Sequence, residues 1–502
     1  MSIDALPWAE FISTIYRDEY YPPLDGSFRT PGYFRKIDLT DAKLSWEKTL
    51  ALIREGKAPA EIGLYVHWPF CPSHCTFCRC SMMVPHTQKE MKLALKAVKE
   101  EMSELKKTFS GVYFASLYMG GGTPTFMTDA MLDDFLTHLR SCFQFSPKAQ
   151  IYTESSPSTL TPSKINILAR HGINRVTVGI QTFDANILKR IDRQGQTKEK
   201  IIDIFEAFAR IPEMVTDVDL MIGMEGQTAS VFAQDLKETL KLGPHCLHLY
   251  PFEDAPQTLF RKSGKKLEIQ DFARESQLVK FTDQILGKAG YQRWNDDWND
   301  LDLHPWETRQ EAAWRRSRGS ILGIGYSALS HAFGAAWYCH PTLPLAKPDS
   351  MPPFFSIDSN REEEMRGYLI EVLARSGKMS RGSFKRLFGE DPLNISCLAA
   401  PIFELKRMSF IRVDEQFVSW VGSDPVQRAV QLKRFYSPMV IGAILKSQAV
   451  AFRDFSKRFS EDKVDWRKLV AVDQAGHDTM AYYNTRFWGA LRKPDEIHAI
   501  AS

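Results

Sequence analysis

Six short hydrophobic runs between residues 61 and 255 alternate with longer amphipathic stretches. The runs are rich in β-branched and aromatic residues, which is typical of buried strands, whereas the stretches between them space their apolar residues as helices do. Thr128 is placed to cap the start of one helix, and Gly172 is placed to end another. The predicted strands cover residues 62–68, 112–120, 150–155, 174–181, 215–223 and 245–252. Six successive strand-then-helix units predict an α/β barrel or open barrel with functional groups at the carboxyl ends of its strands.

The rest of the chain divides where its composition shifts. A cluster of prolines at 339–353 predicts a linker. Beyond the linker, helical patterns precede the runs FIRV and QFVSWV, which predict a hairpin and a winged-helix-like α+β module. The predicted segments are an N-terminal arm at 1–60, a barrel core at 61–255, an extension of the barrel at 256–345, the C-terminal module at 354–435 and a helical tail at 436–502.

The uncharged run at 321–339 is long enough to cross a bilayer, but it contains three glycines, two serines and His331. This composition favours a buried strand and turn segment over a membrane span. The N-terminus has no basic segment followed by an apolar one, so it does not resemble a secretory signal. We therefore expect a cytoplasmic protein without a membrane partner.

The overall composition is that of a globular protein. Of the 502 residues, 44% are hydrophobic and 25% are charged, which excludes a disordered chain. The net charge of +3 gives no general argument for binding nucleic acid. Basic residues in the C-terminal module are interrupted by acidic ones, so we interpret this module as a substrate lid and not as a DNA reader.

Eight cysteines are present, and half of them fall within CPSHCTFCRC at residues 71–80. Such clustering in a large chain without a secretory signal indicates metal binding in a reducing compartment. Cys71, Cys75 and Cys78 are spaced CxxxCxxC, and three thiolates from one loop can hold three irons of a [4Fe-4S] cluster, with the fourth iron open. A zinc site completed by Cys80 or His74 and an incidental grouping both remain as alternatives.

The cysteine loop within YVHWPFCPSHCTFCRC is followed, in order, by further motifs: GGGTPT, TESSPSTL, NRVTVGIQTFD, IDRQGQ, DLMIGMEGQT, AGYQRWN and GIGYSALS. Together they resemble the radical S-adenosylmethionine (SAM) superfamily and, within it, the oxygen-independent coproporphyrinogen III oxidase family, over residues 60–435. The resemblance implies an α/β fold, namely a partial (β/α)6 barrel with a C-terminal winged-helix-like accessory domain.

The resemblance also implies the site. Cys71, Cys75 and Cys78 would hold a [4Fe-4S] cluster whose open iron binds SAM, whereas Cys80 would not be a ligand. The residues implied to contact SAM are Tyr65, Gly121, Gly122, Thr123, Glu154, Gln181, Arg193, Asp219 and Leu329. His67 is interpreted as a packed residue and not as a ligand.

The activity implied by the resemblance is reductive cleavage of SAM to a 5′-deoxyadenosyl radical that acts on a tetrapyrrole, as in the decarboxylation of coproporphyrinogen III. A methylase or cyclopropanase that uses two SAM molecules and a haem chaperone are the alternatives. Cys80 and the GIGYSALS motif favour the oxidase-like branch. Arg315, Arg316 and Arg318 either pair with tetrapyrrole carboxylates or form a solvated turn. We further expect a monomer that receives electrons from a reductant such as flavodoxin or ferredoxin.

Overall fold

The structure is a computed structural model. It describes residues 35–193, 195–252, 258–265, 282, 284–293, 301–304, 319–341, 354–422, 428 and 431–437. The first part of the predicted arm, the three arginines at 315–318, most of the predicted linker and nearly all of the predicted tail lie outside these residues.

Strands within the described residues form one large sheet and one small sheet. The strands are β1 (Arg35–Ile37), β2 (Ile62–Trp68), β3 (Tyr113–Gly121), β4 (Gln144–Ser155), β5 (Arg175–Gln181), β6 (Val215–Ile222), β7 (Cys246–Pro251), β8 (Gln292–Arg293), β9 (Leu301–His304), β10 (Ser320–Ile324), β11 (Leu329–Ala332), β12 (Ala336–Cys339), β13 (Phe354–Asp358), β14 (Lys378–Ser380), β15 (Ile411–Val413) and β16 (Phe417–Trp420). The large sheet has the order β1-β13-β12-β11-β10-β2-β3-β4-β5-β6-β7-β9-β8, and the small one has the order β14-β16-β15.

The six predicted barrel strands are β2 to β7, and each pairs in parallel with the next. Within the described residues β7 pairs with β6 and with the antiparallel β9, and no ladder returns from it to β2 or β10, so the sheet is open. The predicted partial α/β barrel is therefore confirmed. β4 begins at Gln144, ahead of its predicted start at 150, because its first residues already pair with β3 before a shift in register.

Helices connect and cover the strands. They are α1 (Leu39–Arg54), α2 (Gln88–Leu105), α3 (Asp129–Cys142), α4 (Pro162–Arg170), α5 (Ala185–Arg190), α6 (Lys198–Phe208), α7 (Ala229–Leu242), α8 (Leu259–Lys262), α9 (Arg361–Ser376), α10 (Arg381–Phe388) and α11 (Ser396–Arg407). The hydroxyl of Thr128 accepts a hydrogen bond from the Met131 amide at the start of α3. Gly172 follows α4 with φ of +70°, which is the left-handed conformation that ends helices. Both predicted helix boundaries are confirmed.

Successive side chains along the parallel strands alternate between the two faces of the sheet. In β5, Val176, Val178 and Ile180 are fully buried in the main hydrophobic core, which also contains Leu136 and Leu168 from the covering helices. The intervening residues of β5 point to the opposite side, because successive strand residues face opposite ways. We call this opposite side the inner face of the sheet.

The predicted strand and turn segment at 321–339 consists of β10, β11 and β12 and is almost entirely buried. The sheet continues beyond it into β13, which directly follows the predicted linker, and then into β1, which lies within the predicted arm. Helix α1 also packs here, since the indole Nε1 of Trp46 donates to the hydroxyl of Tyr338 at 2.8 Å. β13, which begins at the predicted boundary of 354, is thus part of the large sheet together with β1, and α1 packs against that sheet.

The C-terminal module combines α9, α10 and α11 with the small sheet, and its hairpin strands β15 and β16 lie where FIRV and QFVSWV predicted them. It has its own hydrophobic core. A buried contact joins it to the large sheet, where Nε2 of His331 lies 3.0 Å from Oε1 of Glu364 at the start of α9. Within the described residues, no helix combines the length and the hydrophobicity that a membrane crossing requires.

Candidate functional site

Polar and aromatic side chains line the inner face of β2 to β7. Tyr65, Tyr118 and Tyr152 occupy neighbouring positions in the register of β2, β3 and β4. Tyr118 and Tyr152 stack at a centroid distance of 4.4 Å, and Tyr65 lies 5.2 Å from Tyr118. Beyond them, the guanidinium of Arg175 lies 5.6 Å from the centre of the Tyr152 ring. Aromatic and charged side chains therefore form a row across the inner face from β2 to β5, and their polar atoms can form hydrogen bonds there.

The cysteine loop begins directly after β2, as predicted. Its base is closed by two backbone hydrogen bonds, from the Cys71 amide to the Met83 carbonyl at 3.0 Å and from the Met83 amide to the Pro69 carbonyl at 2.8 Å. Phe77 packs against a small hydrophobic cluster that contains Ile187 and Phe260. The loop is thus held at the carboxyl end of the sheet, where a barrel presents its functional groups.

Two predicted site residues contact the cysteine thiols. The hydroxyl of Thr123 lies 3.1 Å from Sγ of Cys71, and Nη1 of Arg193 donates to Sγ of Cys75 at 3.9 Å. Burial raises the pKa of Cys71 to about 12, against the effects of Thr123 and Arg193, which lower it. A hydrogen bond from Cys80 is the main cause that lowers the pKa of Cys78 to about 7. Burial also raises the pKa of Cys75, so the hydrogen-bond donors around the loop oppose the effect of burial on Cys71 and Cys75 without reversing it.

These residues fit an iron–sulfur cluster better than a single metal ion. Among the described residues, no group of three or more His, Cys, Asp and Glu side chains is arranged to hold one ion. A [4Fe-4S] cube spreads its cysteine ligands over several iron atoms, so it does not require the three thiols to converge on a single ion. The three cysteines are each partly buried, whereas Cys80 is exposed.

The glycines of GGGTPT allow neighbouring side chains and backbone to approach closely. A Cβ atom added to Gly121, whose φ is +102°, would lie 2.5 Å from the ring of His67. One added to Gly122 would lie 2.6 Å from the carbonyl oxygen of Phe70. The Thr123 amide also donates to that carbonyl at 2.9 Å. The motif therefore lies directly against the base of the cysteine loop, and the predicted approach of SAM to these glycines stays a prediction.

Glu154 lies near the carboxyl end of β4, and its Oε1 accepts a short hydrogen bond from the hydroxyl of Tyr118. Burial raises the pKa of Glu154 to about 7; the hydrogen bond from Tyr118 opposes this shift, and the charge of Asp219 adds to it. Two predicted site residues, Glu154 and Asp219, are therefore close enough to interact electrostatically. Their separation in sequence is 65 residues, so the sheet brings them together.

Gln181, Arg193 and Asp219 meet around Gly179. Gly179 is opposite Asp219 in the register of β5 and β6. A Cβ atom at Gly179 would lie 2.9 Å from the side-chain nitrogen of Gln181, and a guanidinium nitrogen of Arg193 donates to the Gly179 carbonyl oxygen. Gln181 has a φ of +68°, an uncommon conformation for a residue other than glycine. The absence of a side chain at Gly179 makes room for both neighbours.

Tyr65 lies on β2, the strand that leads into the cysteine loop, and Leu329 lies on β11, two strands away in the sheet. The hydroxyl of Tyr65 lies 2.8 Å from Nδ1 of His67, and Nε2 of His67 lies 2.8 Å from the Ser81 carbonyl. His67 is buried and hydrogen-bonded, so its interpretation as a packed residue is confirmed. Leu329 starts β11, and its carbonyl oxygen would be 2.4 Å from a Cβ atom at Gly323, which is paired with Tyr65.

Sequence reasoning missed a buried ionic group on the same inner face. Nε of Arg175 forms a short ion pair with Asp217, and Nε2 of His248 lies 3.6 Å from the same carboxylate oxygen. Burial opposes the charged form of Asp217, but Arg175 and His248 hold its pKa well below the usual range. Polar residues at every second position of β5 and β6 were the signal that could have revealed this group.

Known proteins resemble this chain over its central part. Residues 65–241 match the radical SAM superfamily model. The chain is 28% identical over 294 residues to the oxygen-independent coproporphyrinogen III oxidase of Escherichia coli strain K12, an alignment that covers 58% of this chain and 62% of that protein. It is 26% identical over 236 residues to the heme chaperone HemW of Buchnera aphidicola, covering 46% of this chain and 61% of the chaperone.

A solved structure described as coproporphyrinogen III oxidase (HemN) from Escherichia coli, a radical SAM enzyme, superimposes with a TM-score of 0.64. The match covers 77% of this chain and 93% of the other at 22% identity, so it establishes the fold. The alignment with the curated oxidase spans less than two thirds of that protein's length.

Residues 65–241 therefore match the radical SAM superfamily, which agrees with the [4Fe-4S] cluster and SAM that the sequence motifs imply. Within that superfamily, the chain is related to the oxygen-independent coproporphyrinogen III oxidases. The resemblance that the sequence motifs carried is confirmed.

Proposed function

We propose that this protein is a radical SAM enzyme that acts on a tetrapyrrole, in the manner of an oxygen-independent coproporphyrinogen III oxidase. The observation that carries the proposal is the convergence of the cysteine loop with Glu154, Gln181, Arg193 and Asp219 at one end of the parallel sheet. The contact of Arg193 with Cys75, at 3.9 Å, joins the loop to the polar residues directly. Relatedness to the oxidase of Escherichia coli supports the substrate class.

Each group has a defined part in this proposal. Cys71, Cys75 and Cys78 hold the cluster, and the neighbouring Thr123 hydroxyl stabilises the Cys71 thiolate by a hydrogen bond. The cluster with bound SAM supplies one-electron cleavage of the sulfonium to a radical that removes hydrogen from an unactivated carbon. A reductant such as flavodoxin or ferredoxin provides the electron.

The polar residues orient SAM beside the loop. Arg193 presents a guanidinium, whose planar set of donors suits a carboxylate. Gln181 provides an amide, while Glu154 and Asp219 provide carboxylate oxygens that accept from hydroxyl or ammonium groups. The rest of the SAM site consists of backbone and ring surface from Tyr65, Gly121, Gly122 and Leu329.

The C-terminal module, as a lid, closes the open side of the sheet, because a radical requires exclusion of water.

The experiment is anaerobic reconstitution with iron and sulfide, followed by reaction with SAM and dithionite. We expect one [4Fe-4S] cluster per chain and production of 5′-deoxyadenosine. With coproporphyrinogen III and a one-electron acceptor added, we expect loss of carbon dioxide from the substrate, detected by mass spectrometry, because the radical removes one hydrogen atom and the acceptor takes the remaining electron. Stoichiometric zinc without iron after anaerobic purification would contradict the proposal.

Two other outcomes would change the substrate class. Formation of S-adenosylhomocysteine together with 5′-deoxyadenosine would indicate a methylase or cyclopropanase that uses two SAM molecules. The relationship to a heme chaperone makes haem the second ligand to test. Stable haem binding in a titration, without a substrate-dependent radical product, would assign the protein to haem trafficking.

A further inference from the structure

The hydroxyl of Tyr118, the central residue of the three inner-face tyrosines, contacts a predicted SAM ligand. Tyr118 lies on β3, and its hydroxyl donates to Oε1 of Glu154 on the neighbouring strand β4. The two residues are 36 positions apart in the sequence, so only strand pairing brings them into contact. None of the sequence motifs assigned a role to this tyrosine.

The ring of Tyr118 is fixed on three sides. It stacks on Tyr152 with an interplanar angle of 10°, and it contacts the ring of Tyr65 on the other side. Along its own strand it covers Gly120, where an added Cβ atom would lie 2.9 Å from the ring. The hydroxyl is therefore directed at the Glu154 carboxylate by packing and does not depend on a flexible side chain.

The hydroxyl remains a donor at neutral pH. Burial and the nearby charge of Glu154 raise the pKa of Tyr118 well above its ordinary value. A carboxylate offers about four acceptor positions, so the bonds from Tyr118 and from the Gly121 backbone leave Glu154 able to accept from a ligand. Two fixed donors on one carboxylate restrict its orientation.

We propose that Tyr118 is a positioning residue that holds Glu154 in the orientation in which it binds SAM. This inference rests on the proposed function, since it assumes that Glu154 contacts SAM. A ligand that finds the carboxylate already oriented does not have to order it on binding, and such preorganisation strengthens binding.

The test is a double-mutant cycle on the SAM dissociation constant of the reconstituted protein, with Tyr118→Phe, Glu154→Gln and the double variant. Phenylalanine keeps the ring and removes only the hydroxyl. We expect Tyr118→Phe to weaken SAM binding about two- to tenfold, the effect of having to immobilise one side chain, that of Glu154, when the ligand binds. The double variant should bind no more weakly than Glu154→Gln alone, because Tyr118 acts through Glu154.

Tyr152→Phe is the matched control, because it removes a hydroxyl from the same ring stack and keeps the hydroxyl of Tyr118 that donates to Glu154. It should leave the SAM dissociation constant about the same as that of the unmodified protein. Iron content and the melting temperature are measured for each variant, so that loss of the cluster or of the fold is distinguished from loss of positioning.

The outcomes separate the inference from the proposed function. If Glu154→Gln weakens binding while Tyr118→Phe does not, or if the two effects add in the double variant, the positioning role is wrong and the SAM site stands. If Glu154→Gln itself binds SAM normally, the assignment of Glu154 in the proposed function is wrong and the positioning role falls with it.

Discussion

The two faces of strands β2 to β7 carry opposite chemistry on the same backbone. The outer face, with residues such as Val178 and Leu220 fully buried, packs against helices and belongs to the main core. The inner face carries tyrosines, carboxylates, an arginine and histidines, and it leads to the cysteine loop. Successive residues along each strand therefore serve different purposes, because one contributes to the hydrophobic core and the next faces the proposed cofactor site.

The inner face is itself divided. Asp217 and Arg175 are almost completely buried and are paired with each other, so they belong to the structure of the sheet. Glu154, Gln181, Arg193 and Asp219 lie closer to the carboxyl ends, beside the cysteine loop. The inner face thus stabilises the fold through the ion pair of Arg175 and Asp217, and it provides the proposed SAM site nearer the carboxyl ends of its strands.

The largest effect is expected at the cysteine loop. Replacing Cys71, Cys75 or Cys78 with alanine should abolish the [4Fe-4S] cluster and SAM cleavage, because each removes one of three ligands. Iron analysis and the visible absorption of the reconstituted protein measure the loss. Cys80→Ala is the control and should retain the cluster. Loss of the cluster in this variant would show that the ligand assignment is wrong.

Asp217→Asn should lower the free energy of unfolding by about 3–5 kcal/mol, because it leaves the Arg175 guanidinium buried without its counter-charge. Thermal or urea denaturation measures the change. Asp203→Asn, on the exposed surface of α6, is the matched control and should change it by less than about 0.5 kcal/mol. Equal changes in the free energy of unfolding for the two variants would contradict the structural role of Asp217.

Leu220→Ala should lower the free energy of unfolding by about 2–5 kcal/mol, because the side chain is fully buried in the outer-face core and its loss leaves a cavity. The folded fraction should bind SAM with an unchanged dissociation constant, measured after reconstitution. Leu44→Ala, at a residue that is 58% exposed, should change neither quantity. Weaker SAM binding by Leu220→Ala would contradict the separation of the two faces.

Arg193→Ala should weaken SAM binding and leave the stability of the fold nearly unchanged, which is the reverse of the result expected for Leu220→Ala. We expect SAM affinity to fall by about 1.5–3 kcal/mol, or tenfold or more, because one charge-assisted hydrogen bond is lost. The melting temperature should change little, since the side-chain bonds removed from the folded structure are those to the Gly179 carbonyl and to Sγ of Cys75. Arg190→Ala, three residues earlier, removes a comparable bond to the Glu225 carbonyl and should leave SAM affinity unaltered.

The sequence alone determined the elements whose signals are local. All six barrel strands could be located because a buried strand reads as a run of β-branched and aromatic residues within one short segment. The cap at Thr128 and the terminating Gly172 act within four residues of their own position. The cysteine spacing and the ordered motifs likewise lie within short stretches, so they were sufficient to identify the radical SAM domain.

Only the tertiary structure decided which distant residues meet. The addition of β1 and β13 to the large sheet joins segments more than 300 residues apart, and no local pattern encodes such a pairing. The hydrogen bond between Tyr118 and Glu154 and the ion pair between Arg175 and Asp217 depend on the register of adjacent strands. Register is set by the packing of whole faces, so it emerges from the assembled sheet and not from any single strand.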